Sequence, residues 1–281
     1  MSQLRLVQGS QVPPFFYGTA WKEERTAALV GRALAAGFRA IDTANQRRHY
    51  VEAAVGEAVA AALGEGVVTR ADLFLQTKFT SLDGQDHRLP YDAHADVATQ
   101  VRQSFESSLA HLQTTYLDAL VLHGPSRAQG LHDGDWQAWT AMEALQRSGG
   151  TRHLGISNVS LDQVTALVRH AAVPPAFVQN RCFARTGWDR EVRELCRTHG
   201  IGYQGFSLLT ANVRELQQAA TTGIARRLGR TLPQLVFRFA LQVGMFPLTG
   251  TSSETHMRDD LASLDFELDD DDLRAIEHCA F

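Results

Sequence analysis

At 281 residues, with 44% hydrophobic and 21% charged side chains, the chain can bury a large core and still form one domain. A formal net charge of -4 argues against a surface built for nucleic-acid phosphates, and Arg47-Arg48 and Arg226-Arg227 are too short to reverse that. No stretch of about twenty apolar residues offers a membrane span. Three cysteines without a Cys-x-x-Cys pair fit a reducing compartment, so a cytoplasmic protein is expected.

Two short segments flanking Gln8-Gly9-Ser10 predict a small opening hairpin. Apolar runs then recur near residues 15–18, 40–42, 73–79, 117–122, 153–157, 177–180, 201–206 and 245–248. Helical patterns lie between them. Residues 23–36 place Ala27, Val30 and Leu34 on one face and stop at Gly37, and Val97, Val101, Phe105, Leu109 and Leu112 repeat at helical spacing. Residues 161–170 follow a Ser160 cap, and residues 269–279 predict an extra terminal helix. Eight strand-helix units without a low-complexity linker predict an α/β fold, a (β/α)8 TIM barrel occupying residues 1–281 as one domain. The runs are apolar on both faces, as expected of strands with a core inside and helices outside. No Gly-x-Gly-x-x-Gly or Walker loop is present, so a cofactor would sit at the carboxyl ends of the strands. The polar loop 80–91 is expected to form part of that rim.

Four polar residues stand at or beyond the ends of early runs: Asp42, Tyr50, Lys78 and His123. Each has an ordinary structural alternative, namely a turn carboxylate, a rim aromatic, a solvated strand-end lysine and a structurally hydrogen-bonded histidine. Together around one barrel mouth they can make a proton donor. A free tyrosine titrates near roughly 10, and an adjacent ammonium is expected to lower that value. Asp42 would hold the lysine, and His123 would orient a carbonyl oxygen.

The chain resembles the aldo-keto reductase family over nearly its whole length. The residues that carry the resemblance are Gly18-Thr19-Ala20-Trp21, Arg39-Ala40-Ile41-Asp42-Thr43-Ala44, Val55-Gly56-Glu57-Ala58, Thr77-Lys78, Leu122-His123-Gly124-Pro125, Gly155-Ile156-Ser157-Asn158 and Val178-Gln179-Asn180. The resemblance implies reduction of an aldehyde or ketone by hydride transfer, with Asp42, Tyr50, Lys78 and His123 as the catalytic four and tyrosine as general acid. Family members usually carry the tyrosine five residues after the aspartate, where this chain has Arg47. Arginine cannot donate a proton at neutral pH, so the assignment falls on Tyr50 in a turn about two residues longer, with His49 next and Tyr91 more remote.

The resemblance further implies that Ser157, Asn158 and Gln179 hydrogen-bond a nicotinamide carboxamide and that Phe206 stacks on its ring, with Thr19 and Ser207 nearby. The lysine that many relatives place after the last strand is absent. Thr249, Thr251, Ser252, His256 and Arg258 are the candidates for the 2'-phosphate, and Asp260 matches an adenine-contacting position. NADPH is expected to be preferred, with NADH also accepted. Trp21, Phe79, Tyr91 and the open position Gly124 are expected to shape the substrate pocket, and Phe281 to reach its rim. A monomer without a membrane or nucleic-acid partner is expected. Competing accounts are a cofactor-binding regulatory protein, a Schiff-base aldolase using Lys78, and a glycosidase, for which only one of the two required carboxylates is evident. The eleven histidines are scattered without a recognisable metal-ligand grouping.

Overall fold

Strand β1 (Arg5–Val7) pairs antiparallel with β2 (Ser10–Val12) to form the opening hairpin. The strands β3 (Phe16–Gly18), β4 (Ala40–Asp42), β5 (Phe74–Phe79), β6 (Leu117–Leu122), β7 (Thr151–Ser157), β8 (Phe177–Arg181), β9 (Gly202–Phe206) and β10 (Met245–Thr249) follow. All eight are parallel, and β10 returns to β3 to close the ring. This computed structural model describes residues 4–280; Phe281 lies outside the described residues. The fold is therefore the expected (β/α)8 barrel with a hairpin before it.

The outer layer comprises α1 (Thr26–Ala36), α2 (Glu52–Gly64), α3 (Val97–Leu112), α4 (Asp133–Arg147), α5 (Leu161–His170), α6 (Arg190–Thr198), α7 (Val213–Leu216), α8 (Ala219–Leu228), α9 (Leu232–Gln242), α10 (Glu254–Leu261) and the terminal α11 (Asp270–Glu277). Their ends follow local chemistry. Asp96 accepts from the Thr99 amide to start α3, and Ser160 and Gln163 form a reciprocal capping box for α5. Gly37, at φ +118°, ends α1, where a side chain would be strained. The expected helix 23–36 begins instead with a 3-10 turn at Glu23–Arg25, because Glu23 adopts a φ of +45° that an α-helix does not accept. No described helix is long and apolar enough to cross a membrane. Cys182, Cys196 and Cys279 are buried and unpaired.

Strand alternation divides the core in two. Along β5, Phe74 packs inside the barrel, whereas Leu75 and Phe79 pack in the shell between strands and helices. The N-terminal half of the barrel interior is filled by Phe16, Phe74, Phe177 and Phe246. Phe74 meets both Phe16 and Phe177 edge-on at 5.5 Å between ring centroids. The Arg5 guanidinium caps this end, 4.1 Å above the Phe246 ring, and donates to the Met245 and Gly244 carbonyls at 2.6 and 2.7 Å. The hairpin thus plugs one end of the barrel.

Candidate active site

Two residues further along the strands the interior turns polar. Asp42 sits beside Gln76 in the β4–β5 register, and Gln179 beside Gln204 in the β8–β9 register. The Asp42 carboxylate accepts from Lys78 Nζ at 2.7 Å on each oxygen, from Gln76 Nε2 at 2.7 Å and from Gln179 Nε2 at 3.0 Å. Gln76 and Gln204 exchange amide hydrogen bonds at 2.8 Å in both directions. Lys78 also donates to the Thr43 carbonyl at 2.8 Å and is 1% exposed. It is therefore buried and fully paired, not a solvated strand-end lysine. Burial pushes its ammonium below the ordinary value, and the contacts with Asp42 oppose that push.

Tyr50 stands above this pair. The longer turn is held by amide bonds from His49 and Tyr50 to the Gln46 carbonyl at 3.3 and 3.0 Å. Directly after it, buried Glu52 in the first turn of α2 accepts from the Thr77 hydroxyl and faces His111 Nδ1 at 3.0 Å. Because Thr77 and Lys78 are neighbours on β5 with opposite facing, the turn is tied to the strand that carries the lysine. The Tyr50 ring lies 5.4 Å from Lys78 Nζ and 5.9 Å from the His123 ring. One expectation is reversed here. Burial first, and then the Asp42 charge, raise the Tyr50 phenol above its ordinary value. His123 is pushed down to about 3, chiefly by burial and then by Lys78, so its imidazole is neutral.

Asp42, Tyr50 and His123 open onto a cleft of about 900 Å³. Ser157, Asn158 and Gln179 line it beside them, and Phe206, Ser207, Thr249, Thr251, Ser252, His256 and Asp260 continue its wall. Asn158 adopts a left-handed φ of +56° and donates to the His123 carbonyl at 2.9 Å. Gln179 spends its amide hydrogens on Asp42 and Gln204, which leaves Oε1 as an acceptor. Asp260, bonded by Thr249 Oγ1 at 2.7 Å, is pushed up to about 6 by burial. The size and the sequence of polar groups fit an elongated ligand with polar ends.

Other expected site residues fall elsewhere. Phe79 is buried behind β5 against Tyr91, at 5.8 Å between ring centroids, so strand alternation takes both off the cleft wall. Thr19 is fully buried and donates to the Asp42 carbonyl at 3.0 Å, joining β3 to β4. Arg258 pairs with Glu254 at 2.7 Å on the exposed face of α10 and does not line the cleft. Trp21 does line it, with its ring 3.9 Å from that of His49. Gly124 lies beside Asn158, with ordinary packing space for a Cβ.

The cleft also contains two cations with no counterpart among the sequence candidates, Lys22 and Arg25. Lys22 Nζ donates to the Gly250 carbonyl at 2.7 Å and lies 5.0 Å from the Tyr17 ring centroid. Burial and the Arg25 charge pull its pKa down to about 8. Position 22 directly follows the Gly18–Trp21 segment, which was the available sequence signal.

Comparison with known proteins identifies the family. The family model "Aldo/keto reductase family" matches residues 15–280. "Uncharacterized oxidoreductase YtbE" of Bacillus subtilis is 28% identical, covering 97% of this chain and 90% of its own. "Methylglyoxal reductase DkgA" of Salmonella typhimurium is 29% identical, covering 97% and 91%. A crystal structure of an aldo-keto reductase complexed with NADPH superimposes with a TM-score of 0.85 at 23% identity, over 100% of this chain and 89% of the other, a likeness of fold. The arrangement is that of a barrel oxidoreductase. The chain belongs to the aldo/keto reductase family and is an enzyme of NAD(P)H-dependent carbonyl reduction.

Proposed function

We propose that this enzyme reduces small aldehydes or ketones with NADPH, using Tyr50 as general acid. The observation that carries this reading is the convergence of Tyr50, His123 and the buried Asp42–Lys78 pair at one end of the cleft. Ser157, Asn158 and Gln179 would hold the nicotinamide carboxamide, and Phe206 would pack on its ring. When bound, the cofactor supplies the hydride for the carbonyl carbon. Lys22, Arg25 and the hydroxyls of Thr251 and Ser252 would face its phosphates.

Within this arrangement His123 orients the carbonyl oxygen, and the Tyr50 phenol hydrogen-bonds it. A raised phenol still serves as the acid, because an alkoxide forming on the substrate is more basic than the phenolate left behind. The proton moves as charge develops on that oxygen and is replenished from solvent. Lys78, held by Asp42 on the neighbouring strand, favours the transient phenolate electrostatically. Polar residues ring the reacting end, and the relative named as a methylglyoxal reductase makes short dicarbonyls reasonable first substrates.

The test is loss of NADPH absorbance with glyoxal, methylglyoxal and longer aldehydes, alongside Tyr50→Phe. Turnover that survives Tyr50→Phe would reject the assignment and move attention to His49. A second reading, a cofactor-binding protein with little turnover, draws on the raised Tyr50 phenol. Tight NADPH binding without hydride transfer in a single-turnover experiment would favour it.

A further inference from the structure

The inward-facing positions of β5 run Phe74, Gln76, Lys78, and the next position of that parity is Thr80, just past the strand end. Thr80 is 4% exposed, and its Oγ1 lies 2.7 Å from His123 Nδ1. Neither partner is free to turn away. A Cβ on Gly84 would come within 2.6 Å of the Thr80 methyl, so the turn at Leu82–Gly84 is packed against that side chain. The Thr80 carbonyl accepts from the Tyr91 hydroxyl at 2.8 Å and from Gln85 Nε2 at 3.3 Å. The main chain of His123 is held on both sides, its amide donating to the Phe79 carbonyl at 2.9 Å and its carbonyl accepting from Asn158.

The hydrogen inventory then decides the ring's tautomer. A neutral imidazole has one N–H and one acceptor nitrogen, and a threonine hydroxyl has one hydrogen to give. Among the described residues, Thr80 Oγ1 has no partner other than His123 Nδ1. Were Nδ1 protonated, the buried Thr80 hydrogen would be left without an acceptor, the costly outcome for a buried donor. With the hydroxyl donating, Nδ1 accepts and the ring proton resides on Nε2.

We propose that Thr80 is a positioning residue that fixes His123 as the Nε2–H tautomer, so that the ring meets the substrate oxygen as a hydrogen-bond donor. The proposal rests on the reading of the cleft as a carbonyl-reducing site. It assigns Tyr91 a part at one remove: its hydroxyl anchors the carbonyl of the residue that orients the histidine. It also divides the labour, since a neutral Nε2–H polarises and aligns the oxygen while the phenol delivers the proton.

The experiment is ¹⁵N NMR of the histidine ring nitrogens in the full chain, with His123 assigned by the signal lost in His123→Asn. The expected wild-type spectrum shows His123 protonated at Nε2 and bare at Nδ1. Thr80→Val keeps the branched shape packed against Gly84 and removes only the hydroxyl. It is expected to mix the tautomers and to lower kcat/KM for the carbonyl on the order of 10- to 100-fold, with NADPH affinity unchanged. Thr80→Ser restores the tautomer and most of the rate. A wild-type ring protonated at Nδ1, or a Thr80→Val variant with the wild-type tautomer and rate, overturns the proposal. If Thr80→Val does not fold, the wild-type spectrum and Thr80→Ser still decide. An Nε2–H ring in a protein that reduces no carbonyl would count against the reading of the cleft and leave the tautomer assignment standing.

Discussion

The two ends of the barrel interior are built on the same strands and obey opposite rules. At the N-terminal end Phe16, Phe74, Phe177 and Phe246 fill the space with rings that need only to fit, and Arg5 seals them from water. Two to four positions further on, Asp42, Gln76, Lys78, Gln179 and Gln204 fill it with groups that must each find a partner. The first arrangement tolerates substitution in proportion to the volume lost. The second fails when a single partner is removed, because the others are left buried and unmatched. The apolar and the polar arrangement are thus segregated along the strand axis, within a distance of a few residues.

The largest expected effect breaks the comparison at the reactive end alone. Tyr50→Phe should lower kcat by roughly 10²- to 10⁴-fold, the usual worth of a general acid, while leaving the dissociation constant for NADPH nearly unchanged. Steady-state rates and cofactor fluorescence titration check both halves. Next, Phe177→Ala and Lys78→Met set the two ends side by side. Each should cost roughly 3–5 kcal/mol in denaturant unfolding, by a cavity in one case and an unpaired buried carboxylate in the other. Phe177→Ala should keep its kcat and Lys78→Met should lose it. Equal loss of turnover in both would mean that the ends are not separable.

A subtler contrast concerns pH. Lys22, drawn down to about 8 by burial and Arg25, is charged below that pH and neutral above it. Affinity of the free enzyme for NADPH should therefore weaken as pH rises through about 8, and Lys22→Met should flatten the dependence. His123, neutral above about 3, should contribute no limb to the turnover profile between pH 5 and 8. The smallest effect is expected from Arg258→Ala. An exposed guanidinium paired with Glu254 should alter NADPH affinity by less than about twofold, as for most exposed ion pairs.

The strand positions were legible because buried strands leave short apolar runs, and Asp42, Lys78 and His123 stood out as polar residues at their ends. The same runs hid Gln76 and Gln204, which look like interruptions until the period-2 facing is applied. That facing also explains Phe79: next to Lys78 in sequence, it points into the opposite core. Lys22 is hidden in the sequence for a different reason. The Gly250 carbonyl it binds is 228 positions away, a proximity that only ring closure creates. The direction of the Tyr50 shift needed the structure as well, since it is set first by how deeply the turn buries the phenol and then by the nearness of Asp42.

That closure has a consequence of its own. The first barrel strand and the last meet in the shortest register of the ring, Leu248 beside Phe16 and Thr249 beside Tyr17. The join continues beyond the strands through Tyr17 Oη donating to the Thr251 carbonyl at 2.9 Å and Lys22 to that of Gly250. The cleft straddles this seam, with Gly18, Ala20, Trp21 and Lys22 on one lip and Leu248 to Ser252 on the other. A dinucleotide bound there, as proposed, would clasp the two ends of the chain. Its binding free energy would be added to the folded state by mass action, at the seam where the strands pair over the fewest residues. Amide exchange along β3 and β10 should then slow with cofactor far more than along β6 and β7, which the ring already holds by longer pairing.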